Sequence, residues 1–84
     1  MENLEYALVT LRNNKQYFVL ENVLYQYDTY DLILNVEDEE DIKIVLQEIK
    51  NGKTVFTPVE DKTLLNNLSQ KFYESIKIKQ QSIK

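Results

Sequence analysis

Five consecutive acids, Glu37-Asp38-Glu39-Glu40-Asp41, are the densest chemical feature of this sequence. Carboxylates are hard oxygen ligands, so such a run is the first place to look for a divalent cation. It lacks the alternating Asp-x-Asp-x-Asp-Gly pattern of a calcium loop, and blocks of like charge usually repel one another and stay wet. A solvated loop with no metal is the expectation. A second set, Asp28, Asp31 and Glu48, has the residue types for general acid–base work, but nothing in the spacing gathers them in a cleft. Tyr17, Tyr25, Tyr27 and Tyr30 are of the type that stacks on nucleic-acid bases. Their neighbours Glu21, Asp28 and Asp31 are acidic where such platforms are basic, so cross-strand packing is the expected role.

What the sequence lacks excludes more. Its 84 residues contain no His, no Cys and no Trp, with one Gly (Gly52), one Pro (Pro58) and one Arg (Arg12). There is no Ser-His or Cys-His nucleophile pair, no zinc ligand set and no disulfide framework. One glycine cannot build a Walker A loop or a dinucleotide fingerprint. One domain of this size seldom encloses a substrate pocket, so neither enzymatic activity nor a cofactor is expected.

The charge is uneven. Residues 1–42 hold ten acids against Arg12 and Lys15, a net −8, whereas residues 43–84 hold eight lysines against four acids, a net +4. An acidic face repels nucleic acid and attracts basic protein surfaces, so direct nucleic-acid binding is not expected. No apolar stretch nears the roughly 18 residues that span a bilayer, and the N-terminus lacks a basic flank and apolar run. A cytoplasmic location and no membrane partner are the expectations.

Alternation organises the first two-thirds of the chain. Leu4, Tyr6, Leu8 and Thr10 alternate with Glu5, Ala7, Val9 and Leu11, which predicts a strand near 4–12 with a turn at Asn13-Asn14. The next strand, near 16–27, places Tyr17, Val19, Val23, Tyr25 and Tyr27 on one face and Phe18, Leu20 and Leu24 on the other. A bulge or bend falls at Glu21-Asn22, where both apolar faces are interrupted. A turn at Asp28-Thr29 leads to a strand near 30–36, with Tyr30, Leu32, Leu34 and Val36 opposite Asp31, Ile33 and Asn35.

Residues 42–50 fit two patterns. Ile42, Val45, Leu46 and Ile49 have helical spacing, while Ile42, Ile44 and Leu46 also alternate. The hairpin dipeptide Asn51-Gly52, joining this segment to a strand near 53–57, favours strand over helix. Thr57-Pro58-Val59-Glu60 has capping-box spacing, with Asp61 an alternative N-cap. The helix, near 61–79, carries a stripe of Leu65, Leu68, Phe72 and Ile76, and residues 80–84 are expected to fray. The expected fold class is α+β: one domain, residues 1–84, a small antiparallel meander of about five strands with the C-terminal helix packed on one face.

The order of these elements resembles a family. Phe18-Val19-Leu20-Glu21-Asn22-Val23-Leu24, Tyr30-Asp31-Leu32-Ile33-Leu34-Asn35-Val36, the acid run and Val55-Phe56-Thr57-Pro58-Val59-Glu60-Asp61 lead into a helix with Leu64, Leu65 and Leu68. Over about residues 8–73 this is similar to the YrzB-like family of small acidic bacterial cytosolic proteins, a domain of unknown function. The stretch Phe56 to Asp61 is its most specific piece. The helix here is less acidic than the family's and has leucines where an aromatic is common. The resemblance implies fold and location and leaves activity open.

Elimination and the acidic, tyrosine-bearing first half lead to a non-enzymatic module that binds another protein. The expected contact surface is Tyr27, Asp28, Tyr30, Asp31, Glu37, Asp38, Glu39, Glu40 and Asp41, or an exposed sheet edge. A nucleic-acid-mimicking inhibitor and a self-associating subunit are the alternatives.

Overall fold

A computed structural model describes residues 7–82. Strands β1 (Leu8–Thr10), β2 (Gln16–Tyr25), β3 (Asp28–Asn35), β4 (Ile42–Lys50) and β5 (Lys53–Pro58) precede one helix, α1 (Lys62–Ser82). The strands pair in sequence order, each antiparallel to the next. The part of the first predicted strand at residues 4–6 lies outside the described residues.

The sheet is not the simple meander with one covered face that the sequence pattern implies. A meander covered only by a helix on one side would leave Tyr17, Ile33 and Val45 in water, yet all three are 0% exposed. They point away from the helix, and Leu11, Val9, Val19 and Phe56 pack with them. The five strands curl into a half-barrel that buries its own inner face, with Leu11 and Phe56 converging from its two edges. Twist accumulated over five strands and the β2 bulge supply that curvature. The architecture is α+β, a curled half-barrel with the helix on its outer face.

That bulge also sorts the two cores. The β2–β3 register shifts between Val19 and Glu21, so Leu20 is the extra residue. Side-chain parity inverts past it. Tyr17 and Val19 stay on the inner face, while Val23 and Tyr25 join Tyr30, Leu32, Ile44 and Leu46 beneath Leu64, Leu68 and Phe72 of α1. The single tyrosine face expected along 16–27 is thus divided between the two cores. Near the bulge, Ser75 Oγ donates to the buried Glu21 carboxylate, tying α1 to β2.

The turns also differ from expectation. Leu11 N–H bonds Lys15 C=O at 3.1 Å, leaving a three-residue loop in which Asn14 has φ 65°. The next turn falls at Gln26-Tyr27, not Asp28-Thr29: Tyr25 pairs with Asp28, and both loop residues have positive φ, 51° and 72°. Asn51 and Gly52, at 52° and 77°, form the β4–β5 turn. The segment 42–50 is strand, its ladder to β3 running from Thr29↔Gln47 to Leu34↔Ile42.

Pro58 ends β5 opposite Val45, and Asp61 caps α1, accepting the Thr63 and Leu64 N–H groups on Oδ1 at 3.0 and 3.4 Å. The helix spans Lys62–Ser82, and residues 83–84 lie outside the described residues. Its buried stripe stops at Phe72 and half-buried Ser75, so Ile76, expected in the core, is 36% exposed. Among the described residues no helix is long and apolar enough to cross a membrane.

Candidate interaction surface

The residues expected to form one contact surface are separated by the length of β3. Tyr27 and Asp28 stand at the Gln26-Tyr27 turn, while the acid run follows the other end of the strand. Eight residues at about 3.3 Å each put these ends roughly 26 Å apart. Between them Tyr30 and Asp31, 6% and 1% exposed, point to opposite faces. Neither is available at the surface: Tyr30 lies under α1 and Asp31 inside the half-barrel beside Val45. The expected patch is therefore two separate regions.

At the acid end, Glu37, Asp38, Glu39 and Glu40 are exposed, but Asp41 is folded into the protein. Its Oδ2 accepts the Tyr17 hydroxyl at 2.7 Å and Asn35 Nδ2 at 3.0 Å, and its Oδ1 meets Lys43 Nζ at 2.8 Å. These three donors hold the Asp41 carboxyl far below the usual carboxylate range, and the same contact raises the Lys43 ammonium. Lys43 also lies 5.8 Å from the Tyr17 ring centroid. The loop closes through Asn35 N–H to Asp41 C=O at 3.0 Å, with Asn35 Oδ1 accepting Glu37 N–H and Asp38 Oδ1 accepting Glu40 N–H. The acid run is an exposed loop over Glu37–Glu40, closed into a turn and anchored by its last residue, Asp41. Next to it an open groove of about 460 Å³ is lined by Lys15 as well as Glu37 and Asp38, so the surface has both signs.

Asp28, Asp31 and Glu48 do not form an acid–base pair. Asp31 faces the interior, whereas Asp28 and Glu48 lie on the helix side, where their charges help burial to raise the Tyr30 phenol. Glu48 instead approaches Lys50 at 3.5 Å. Burial pushes the Asp31 carboxyl up to about 6, and its Oδ2 has no hydrogen-bond partner among the described residues. Among those residues no three carboxylates converge as metal ligands would.

The turn end of the sheet has a different character. Tyr27 is 99% exposed, Leu24 72% and Ile49 75%. Leu24 pairs with Thr29, which pairs with Gln47, and Ile49 lies two residues beyond Gln47 on the same face. Three large exposed apolar side chains thus lie at one end of the half-barrel. The tyrosine among them occupies a left-handed conformation that costs an L-residue about 1–2 kcal/mol. Leu24 and Ile49 were not legible as surface residues, because the parity inversion at Leu20 sets the face on which Leu24 lies.

No known family model, curated protein or solved structure matches this chain, and none bears on the resemblance to the YrzB-like proteins.

Proposed function

We propose that this chain is a non-enzymatic, cytosolic module that binds another protein through the rim formed by Leu24, Tyr27 and Ile49. The observation that carries this reading is Tyr27, fully exposed and held at φ 72° at the end of the sheet that also exposes Leu24 and Ile49. Backbone strain persists where the surroundings over-determine it, and it clusters at recognition sites. Tyrosine is enriched in protein interfaces because its ring provides apolar area and its hydroxyl a polar handle. The mixed charge at the acid end, with Lys15 and Glu37 lining one groove and Lys43 bound to Asp41, supports protein binding over nucleic-acid mimicry.

The test is capture from the native cell lysate with wild-type chain and with a Leu24→Ser/Tyr27→Ser variant. The reading predicts one stoichiometric partner retained after nuclease treatment and lost with the folded variant. No partner, or equal capture by both chains, would overturn it.

A further inference from the structure

The outer face of the half-barrel is only partly used by α1. One cross-sheet rank, Leu8↔Phe18↔Leu34↔Ile42, runs over four strands at the acid end. The helix core takes none of Leu8, Leu34 and Ile42. Leu8 and Ile42, at the ends of the rank, are 55% and 54% exposed, and Val36 beside them is 41% exposed. Glu37, Asp38, Glu39 and Glu40 rim this apolar stripe on one side. An exposed apolar stripe with a polar rim has the anatomy of a protein contact.

The chain itself carries a complementary element. Past Phe72, half-buried Ser75 still meets the sheet, but Tyr73, Ile76 and Ile78 are 61%, 36% and 65% exposed. Residues 71–84 hold four lysines (Lys71, Lys77, Lys79, Lys84) against the single acid Glu74. Lys71 and Lys77 are exposed, with Lys77 Nζ 5.9 Å from the Tyr73 ring centroid. An apolar, basic helix end matches an apolar stripe rimmed with acids in both shape class and sign.

We propose that this chain self-associates, the end of α1 of one copy lying on the Leu8–Ile42 rank of another, with its lysines toward Glu37–Glu40. The contact is distinct from the Tyr27 rim, so it stands or fails independently of that reading. Association is weakened by salt, because exposed charge pairs are screened while the apolar contact is not. If the exchange is mutual, it closes a pair; if the copies add head to tail, it builds a ring or chain.

Sedimentation equilibrium from low-micromolar to submillimolar concentration tests this with five chains. Wild type is expected above the mass of one chain, with weaker association at high salt. Glu37→Lys/Glu40→Lys and Lys71→Glu/Lys77→Glu are each expected to sediment as one chain, and mixing the two restores assembly because each then meets the opposite sign. Leu8→Lys is expected to be monomeric alone, and Tyr27→Ser to behave as wild type. A wild-type monomer throughout the range, association unchanged in both charge-reversed chains, or folded charge-reversed chains that fail to recombine would each overturn the proposal.

Discussion

Tyr27 sits where a hairpin turn requires positive φ at both central positions, a demand usually met by Asn-Gly. The same molecule has that solution at Asn51-Gly52. Replacing Gln26-Tyr27 with Asn-Gly should therefore stabilise the fold by about 1 kcal/mol or more, read as a higher denaturant midpoint with unchanged slope. A lower midpoint would mean that the Tyr27 side chain contributes to the fold. Asp31 and Asp41 lead to a second prediction, on pH. Asp31 has its carboxyl raised to about 6 in the fold. Between roughly pH 4 and 6 the folded state binds more protons at this site than the unfolded state, so its contribution to stability is lost as pH rises. Asp41 is depressed in the fold, so its contribution is present above about pH 4 and lost as pH falls towards its folded value. Asp31→Asn should flatten the decline in melting temperature from pH 4 to 7, and Asp41→Asn should lower the melting temperature at neutral pH. If Asp31→Asn left the pH profile unchanged, Asp31 would not be the group responsible.

The bulge at Leu20 governs how the elements combine. Inserting one residue between Glu21 and Asn22 should put Val23 and Tyr25 on the inner face and Leu24 against the helix, breaking both cores at once, whereas deleting Leu20 would join Val19↔Ile33 directly to Glu21↔Leu32 and keep every face as it is. The insertion is therefore expected to abolish the cooperative transition, whereas Asp61→Ala, which only uncaps α1, should cost about 1 kcal/mol and leave it cooperative. Chemical denaturation of the two variants distinguishes a register device from a local defect. Much at this scale was legible in sequence: Asn51-Gly52 decided the strand 42–50, and the interruption at Glu21-Asn22 lay next to the true bulge. The rest depended on longer-range geometry. Gln26-Tyr27 carries no turn chemistry, so its position follows from the Tyr25↔Asp28 register alone. Ile76 continues the apolar spacing of α1, but the sheet beneath the helix ends before it. Asp41 reads as one more member of an acid run until Tyr17, Asn35 and Lys43 converge on it.

At the scale of the whole molecule, curvature allows so short a chain to bury two apolar faces with one helix. The inner face closes on itself through Leu11, Tyr17, Ile33, Val45 and Phe56, and the outer face is shared between α1 and the rank ending at Leu8 and Ile42. Curl was not legible because alternation reports which side a residue faces, not whether the sheet will bend to cover it. Curvature also divides the surface, placing Tyr27 and the acid run at opposite ends of β3. The most direct test of the account is capture of the partner from lysate by wild type and by the Gln26→Asn/Tyr27→Gly chain, with folding stability measured on the same samples. The account predicts a variant that is more stable and has lost the partner. Undiminished capture by the stabilised variant would contradict it.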